Sequence, residues 1–361
     1  SDETFTLDLS NASNGNLLDD SGLGTITDDD ATPTISIANA TVTEGNVGDT
    51  TLSFDVTLSV VSVGTVTVDY ATANGSATVA NGDYAAASGT LTFDPGQTAK
   101  TVDVTVHGDT TYEADETLTA GLSTPVGATI ADDSGTGTIT NDDAAPTFAI
   151  DDVSAVEGNA GITSFTFTVT KSGATQLGST VQFATGGGTA TAPADYAPNS
   201  GGLSFGSSAT LKSITVLVNG DTTFESNETF HVVLSSPTGA TISDATGVGT
   251  IQNDDKQPTT LTLRRRVTGT LVIARGLLEP ASPASTVRVA LFKFVGGRWH
   301  WLRGKTVTVT AVGDRDGDGK PDARFRATLK RPLGHGRFRL RARFTGTPTQ
   351  QPAQRRRIFR L

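Results

Sequence analysis

The chain has 361 residues, a formal net charge of −11, 40 glycines and four histidines, and it contains neither cysteine nor methionine. That composition excludes a disulfide framework, a thiol nucleophile and a cysteine-ligated metal, and it suits a β-rich secreted protein of two to four domains. No apolar run is long enough to span a membrane, and the lack of methionine reads as a mature or excised fragment.

The charge is unevenly placed. Residues 1–256 carry 33 acidic and 4 basic side chains, a net of −29, whereas residues 257–361 carry 5 acidic and 23 basic ones, a net of +18. Two kinds of module with different partners are expected.

Self-similarity organises the acidic part. The segments "GTITDDD" from Gly24, "GTITNDD" from Gly137 and "GTIQNDD" from Gly249 recur at spacings of 113 and 112 residues. Residues 1–31 read as the C-terminal tail of a preceding repeat, because "DETFTLDLS" matches the text from Asp115 onward. Missing upstream sequence explains such a tail, and strand addition to another subunit is the alternative. Residues 32–144 and 145–256 are two full repeats, with "VTEGN", "NGDYA" and "DTTYEADET" answered by "AVEGN", "PADYA" and "DTTFESNET". Within the first repeat "TLSFDVTLSV", "GTVTVDYAT", "GTLTFD", "AKTVDVTVH", "ETLTAGLS" and "GTGTIT" alternate apolar and polar residues between turn-forming residues. The pattern predicts about seven strands per repeat and an antiparallel β-sandwich with one wet, threonine-rich face per sheet.

The ordered motifs, namely "EG" after the first strand, the "DY" loop, the acid loop and the closing "GTIxxDD", resemble the Calx-beta domain over roughly residues 1–256. The resemblance implies calcium-binding, immunoglobulin-like β-sandwiches in tandem, arranged as an elongated rod, as in many large bacterial surface proteins.

Strand parity brings the acids together independently of any family. If strands alternate in direction, Glu44, Asp83, the run Asp109, Glu113, Asp115 and Glu116, and the pair Asp142 and Asp143 all follow odd-numbered strands and reach one pole. The second repeat places Glu157, Asp195, Asp221, Glu225, Glu228, Asp254 and Asp255 likewise. Two carboxylates about 4 Å apart repel by roughly 4 kcal/mol at an effective dielectric of 20. So many acids with almost no Lys or Arg need either dispersal into solvent or a bound cation. Hard oxygen ligands without histidine or thiol favour Ca2+, and more than one ion per tip is expected. A plain solvated acid surface is the competing reading. Asn227 stands where the first repeat has Asp115, and Asn141 and Asn253 stand where the tail has Asp28. The tail's own Glu3, Asp28, Asp29 and Asp30 match the motif but lack the other ligand loops. The "DD" that closes the tail and the one that closes the first full repeat are followed at once by "ATPTISI" and "AAPTFAI", which open the next repeat, so ions held there would stiffen the junction.

Residues 257–361 are basic and again strand-patterned, with a looser resemblance to the immunoglobulin-like β-sandwich domains of bacterial exported proteins. "RFRLRARF" puts Phe338, Leu340, Ala342 and Phe344 on one side and Arg337, Arg339, Arg341 and Arg343 on the other. That arginine stripe reads as a solvated face, a dock for an acidic neighbouring segment, or a grip on anionic polymer such as wall teichoic acid, polysaccharide or, least expected, nucleic acid. "GRWHW" offers Trp299 and Trp301 for stacking, although half-buried strand residues are the commoner outcome. The arginine triplets at 264–266 and 355–357 would lie close together if the first and last strands of this domain pair. "DRDGDGKPD" resembles the calcium loops of EF-hands, with Asp314, Asp316, Asp318 and Asp322 as candidate ligands, but Phe325 occupies the bidentate-glutamate position and a Gly-Asp hairpin turn explains it equally.

No catalytic constellation emerges. His107 precedes the acid loop but becomes Asn219 in the second repeat, the carboxylate pairs are duplicated along the chain, and "GGG" at residues 186–188 lies between strands. The chain is expected to be a non-enzymatic, calcium-stiffened structural or adhesive segment, extracellular, secreted or on the cell surface. Its expected partners are calcium ions, neighbouring repeats or subunits, and an anionic cell-wall polymer.

Overall fold

The period-two segments of the sequence are realised as strands throughout the described residues. The computed structural model describes residues 2–280, 285–313, 322–330, 332 and 334–361, and among these every regular element is a strand. No helix among the described residues is long and apolar enough to cross a membrane.

β1 (Glu3–Asp8) and β2 (Ser21–Ile26) form an antiparallel hairpin that makes a sheet of its own. Phe5 faces Gly24 there as Leu118 faces Gly137 in the following repeat, yet Phe5 is 56% exposed where Leu118 is fully buried.

The first repeat contains β3 (Thr34–Ile37), β4 (Ala40–Thr43), β5 (Gly48–Leu58), β6 (Val66–Asn74), β7 (Ser88–Phe93), β8 (Ala99–Gly108), β9 (Glu116–Val126), β10 (Thr129–Asp132) and β11 (Ser134–Thr140). They form two facing sheets, β10-β3-β5-β8 and β4-β11-β9-β6-β7. Leu52, Phe54 and Val56 on β5 pair in register with Val104, Val102 and Lys100 on β8, and the apolar members point into the core between the sheets. The first strand of the repeat is divided. β3 pairs antiparallel with β5, and after Ile37 the chain steps across so that β4 runs parallel to β11 in the other sheet. The step holds because Ala38 N–H donates to Asp55 O at 2.9 Å and Asn39 Oδ1 accepts from Thr136 N–H at 2.8 Å. Gly137 on β11 is required by close approach, since a Cβ there would lie 2.6 Å from Leu52 Cδ2 and Phe54 Cζ.

The second repeat copies this plan with β12 (Thr147–Ile150), β13 (Val153–Val156), β14 (Gly161–Ser172), β15 (Ser179–Gly186), β16 (Ser200–Phe205), β17 (Leu211–Gly220), β18 (Glu228–Thr238), β19 (Thr241–Ile242) and β20 (Thr246–Gln252). Its sheets are β17-β14-β12-β19 and β13-β20-β18-β15-β16, around a core rich in Phe148, Phe165, Phe167 and Phe230.

The basic domain contains β21 (Thr260–Leu261), β22 (Arg264–Thr268), β23 (Leu271–Glu279), β24 (Thr286–Val295), β25 (Arg298–Thr308), β26 (Thr310–Gly313), β27 (Asp322–Lys330), β28 (Arg337–Phe344) and β29 (Ala353–Arg360). One sheet runs β21-β23-β27-β26 with β22 also on β23, the other β25-β24-β28-β29, and a third core fills the space between them. The first and last strands therefore belong to different sheets and do not pair. The arginine triplets still approach through side chains at the sandwich edge. Arg355 Nε donates to Leu261 O at 2.9 Å, Arg357 Nε to Leu263 O at 3.1 Å, and Arg265 lies over the Phe359 ring at 4.5 Å.

Candidate metal centre

Four hydrogen bonds donated by backbone N–H groups, two to carbonyls and two to side-chain oxygens, tie the four acid loops of the first repeat into one tip. Glu44 N–H donates to Thr140 O at 3.2 Å, and Gly45 N–H to Asp142 Oδ1 at 3.2 Å. His107 N–H donates to Asp83 O at 3.0 Å, and Glu113 N–H to Asn141 Oδ1 at 3.2 Å. Strand direction places these loops at the same pole, and the "EG" and "HG" dipeptides let two of them touch. A Cβ on Gly108 would meet Gly45 O at 2.0 Å, so glycine at 108 permits the Glu44 loop to lie against the start of the acid loop. Gly45 itself turns the chain at φ 82°, a conformation that disfavours other residues.

The carboxylates converge. Ligand-competent oxygens of Asp83, Glu113 and Glu116 all lie within 4.8 Å of one another, and so do those of Asp195, Glu225 and Glu228 in the second repeat. Glu44, 7% exposed, is pushed up to about 7 by burial and then by Glu113, Asp143, Asp109 and Asp142. Glu116 is also raised to about 7, by burial and the adjacent Asp83. Burial first and acidic neighbours second likewise raise Glu113 and Asp143. In the second repeat Glu157 rises to about 7 through burial, Asp221, Glu225, Asp255 and Asp254, while Glu225, Glu228 and Asp255 shift upward for the same reasons. Each tip is a shared negative field in partial burial.

Asp115 is used differently from its neighbours. Its Oδ1 accepts Asn141 N–H at 3.1 Å, Asn227 accepts Asn253 N–H at 3.1 Å, and Asp2 accepts Asp28 N–H at 2.8 Å. The repeated bond clasps the end of one strand to the next loop, and an amide oxygen serves as well as a carboxylate. This is the physical reason that Asn227 can replace the acid. Asp83 and Asp109 each spend one oxygen on local turns, through Thr78 N–H at 2.6 Å and Thr111 N–H at 2.5 Å. His107 pairs through Nδ1 with Asp49 at 2.7 Å.

The second repeat reaches into the first repeat's tip. Tyr112 bridges Thr175 in parallel register, with Tyr112 N–H on Ala174 O at 3.1 Å and Gln176 N–H on Tyr112 O at 3.2 Å. Gln176 Nε2 then donates to Glu113 Oε1. Gln176 belongs to no acid motif and carried no signal in the sequence.

The Calx-beta domain family matches residues 28–152 and 141–255, more than half of the chain. The chain belongs to the Calx-beta family. Among solved structures, it is similar to CBD12 from CALX1.2, with 21% identity over 61% of this chain and 100% of that one at a TM-score of 0.29. It is also similar to the calcium binding domain CBD12 of CALX1.1, at 20% identity, 60% and 98% coverage and a TM-score of 0.30. The apo-form Calx CBD1 domain is 23% identical, covering 30% of this chain and 98% of that one at 0.29. No curated protein matches.

Calx-beta domains are calcium-binding β-sandwiches, and the residues at both tips fit Ca2+. Glu44 Oε1, Asp143 Oδ2 and Asp255 Oδ2 are buried without a hydrogen-bond partner, a costly arrangement for acceptors unless a cation meets them. The donor set is all hard oxygen. In the first Calx-beta repeat Asp83, Glu113 and Glu116 form the close group, and Glu44 feels Glu113, Asp143, Asp109 and Asp142 as its acidic neighbours. Outside the repeats, Asp314, Asp316 and Asp318 lie beyond the described residues, and only the backbone of Asp322, opening β27, is described. Trp299 is half-buried against Phe294 at 5.0 Å between ring centres, whereas Trp301 is 58% exposed.

Proposed function

We propose that this chain is a calcium-stiffened, non-catalytic structural or adhesive segment of a secreted or cell-surface bacterial protein, in which metal at the first repeat's tip fixes the junction to the second. Glu44, Asp83, Asp109, Glu113, Glu116, Asp142 and Asp143 would hold Ca2+ in repeat one, and Glu157, Asp195, Asp221, Glu225, Glu228, Asp254 and Asp255 in repeat two. The bound ion supplies the positive charge that the tip lacks.

The observation that carries this reading is the Gln176–Glu113 contact beside the Tyr112–Thr175 bridge. A carboxylate of the metal cluster is also an interdomain acceptor. Holding Glu113 in one orientation therefore holds the loop of residues 173–177 as well. In the second repeat Phe224 stands at the Tyr112 position and is exposed, and among the described residues the bridge to a following domain is seen at the first junction. Extracellular calcium modules bind at about 10⁻⁴–10⁻³ M, which suits a permanently filled site outside the cell. Small-angle scattering of the full chain with calcium and with chelator tests the proposal. A longer maximum dimension or broader distance distribution without calcium is expected, and identical profiles would overturn it.

A further inference from the structure

The outer face of the β25-β24-β28-β29 sheet carries a second, unrelated surface. Strand alternation buries Phe338, Leu340, Ala342 and Phe344 of β28 and turns Arg337, Arg339, Arg341 and Arg343 outward. Register sets Arg288 of β24 opposite Arg343 and Arg356 of β29 opposite Arg341. Alternate residues on a strand lie about 6.8 Å apart and neighbouring strands about 4.8 Å apart, so the arginines are set out as a closely spaced grid across the sheet face. None of the four strands contains an Asp or Glu.

The grid is pre-organised by rings. Arg339 lies over Phe292 and over Trp299, both at 4.8 Å, while Arg341 covers Phe292 at 4.9 Å and Arg337 covers Phe294 at 5.1 Å. A stacked guanidinium keeps its N–H edge for bidentate bonds to carboxylate, sulfate or phosphate. Holding it there in advance removes much of the side-chain entropy that binding would otherwise cost. Burial first, and then the like charges of Arg356 and Arg341, lower the Arg339 pKa.

We propose that this face binds an anionic polysaccharide, a linear chain of sulfated or carboxylated sugars. The ratio of cations to open rings decides the class of ligand. Platforms for single-stranded nucleic acid offer several open rings to successive bases, but here Phe292, Phe294 and Trp299 are capped by arginine and Trp301 is the exposed aromatic. The carboxylates of the Calx-beta tips converge on a point and bring no ring for Trp301, so they match an extended grid poorly. A polymer with one closely spaced anion per unit, and a ring face to lay on Trp301, matches both features.

The test uses the full chain in chelator, which separates this proposal from the calcium reading. Binding to immobilised heparin and to polygalacturonate is measured from 0.05 to 0.3 M NaCl, with oligo(dT) as a third ligand and sedimentation to detect self-association. Tight binding to either polysaccharide with a steep salt slope is expected. Arg341→Ser/Arg356→Ser should weaken it at least about tenfold and flatten the slope by about two released ions. Arg275→Ser/Arg326→Ser, which removes the same charge from the opposite sheet, should change it less than about threefold. Trp301→Ala should weaken binding with the slope unchanged. Should Arg341→Ser/Arg356→Ser lower the melting temperature, Arg288→Ser/Arg343→Ser serves in its place. Equal losses from both faces, tighter binding of oligo(dT), or salt-sensitive self-association without polysaccharide binding would each overturn the proposal. The heparin and polygalacturonate arms tell sulfate from carboxylate recognition.

Discussion

Gln176 of the second repeat donates its side-chain amide to Glu113 of the first, so one carboxylate serves both the acid tip and the domain junction. Removing the amide leaves the tip's own acids in place while cutting the link. Gln176→Ala is expected to keep calcium affinity within about threefold and to widen the scattering distance distribution even with calcium bound. Titration calorimetry beside small-angle scattering checks this, and a variant as rigid as the parent would contradict the link.

Loss of ligand charge should act locally. Glu113→Ala and Glu225→Ala are each expected to weaken calcium at their own repeat by about tenfold or more and leave the other repeat unchanged. Saturating calcium at 100 times its Kd stabilises a domain by about 2.7 kcal/mol. Calorimetric melting should therefore show one calcium-dependent transition lost per variant.

Asp115→Asn should be nearly silent, because the amide keeps the bond to Asn141 N–H as Asn227 does to Asn253. Asp115→Ala loses the acceptor and should cost about 1 kcal/mol in denaturant unfolding. A tenfold loss of calcium affinity in Asp115→Asn would instead make this side chain a ligand.

Glu44, Glu116 and Glu157 are raised to about 7 in the folded chain. A carboxyl whose folded pKa exceeds its unfolded value near 4.5 binds protons more tightly when folded. Its stabilising contribution is complete below the unfolded pKa and is lost as pH rises through about 7. Without calcium, the melting temperature of the repeats should fall between pH 5 and about 8. With saturating calcium the fall should vanish or reverse, since metal and proton compete for the same oxygens. Differential scanning calorimetry across that range decides it.

Two glycines separate packing from ligation. Gly137→Ala places a methyl 2.6 Å from Leu52 and Phe54 in the core, and should cost about 1–3 kcal/mol with calcium affinity little changed. Gly108→Ala drives a methyl into Gly45 O, 2.0 Å away, and should lower affinity as well by parting the Glu44 loop from the acid loop. Equal affinity losses in both would mean that the tip responds only to global stability.

Much of this was legible in the chain text. Alternation in "TLSFDVTL" fixes which side of β5 is buried, and strand parity carries Glu44, Asp83, Glu113 and Asp142 to one pole because each hairpin reverses direction. The division of the first strand between two sheets after Ile37 was only partly legible. The inward positions change parity from Ile35 and Ile37 to Ala40 and Val42, which marks a break, but only the partners offered by β5 and β11 send the two halves to opposite sheets. The arginine triplets could be paired on paper by assuming that end strands meet. Their actual approach runs through side chains between sheets, which no strand pattern encodes.

The sequence by itself determined the repeats, the strands, the acid pole of each Calx-beta domain and the basic character of residues 257–361, since these follow from local periodicity and charge. Tertiary structure alone decided that Asp115 clasps backbone, that Gln176 crosses to Glu113, and that arginines cap Phe292 and Phe294. Those contacts join residues from separate strands, sheets or domains. Their energies depend on distance and orientation in space, quantities that a one-dimensional pattern of side chains does not contain.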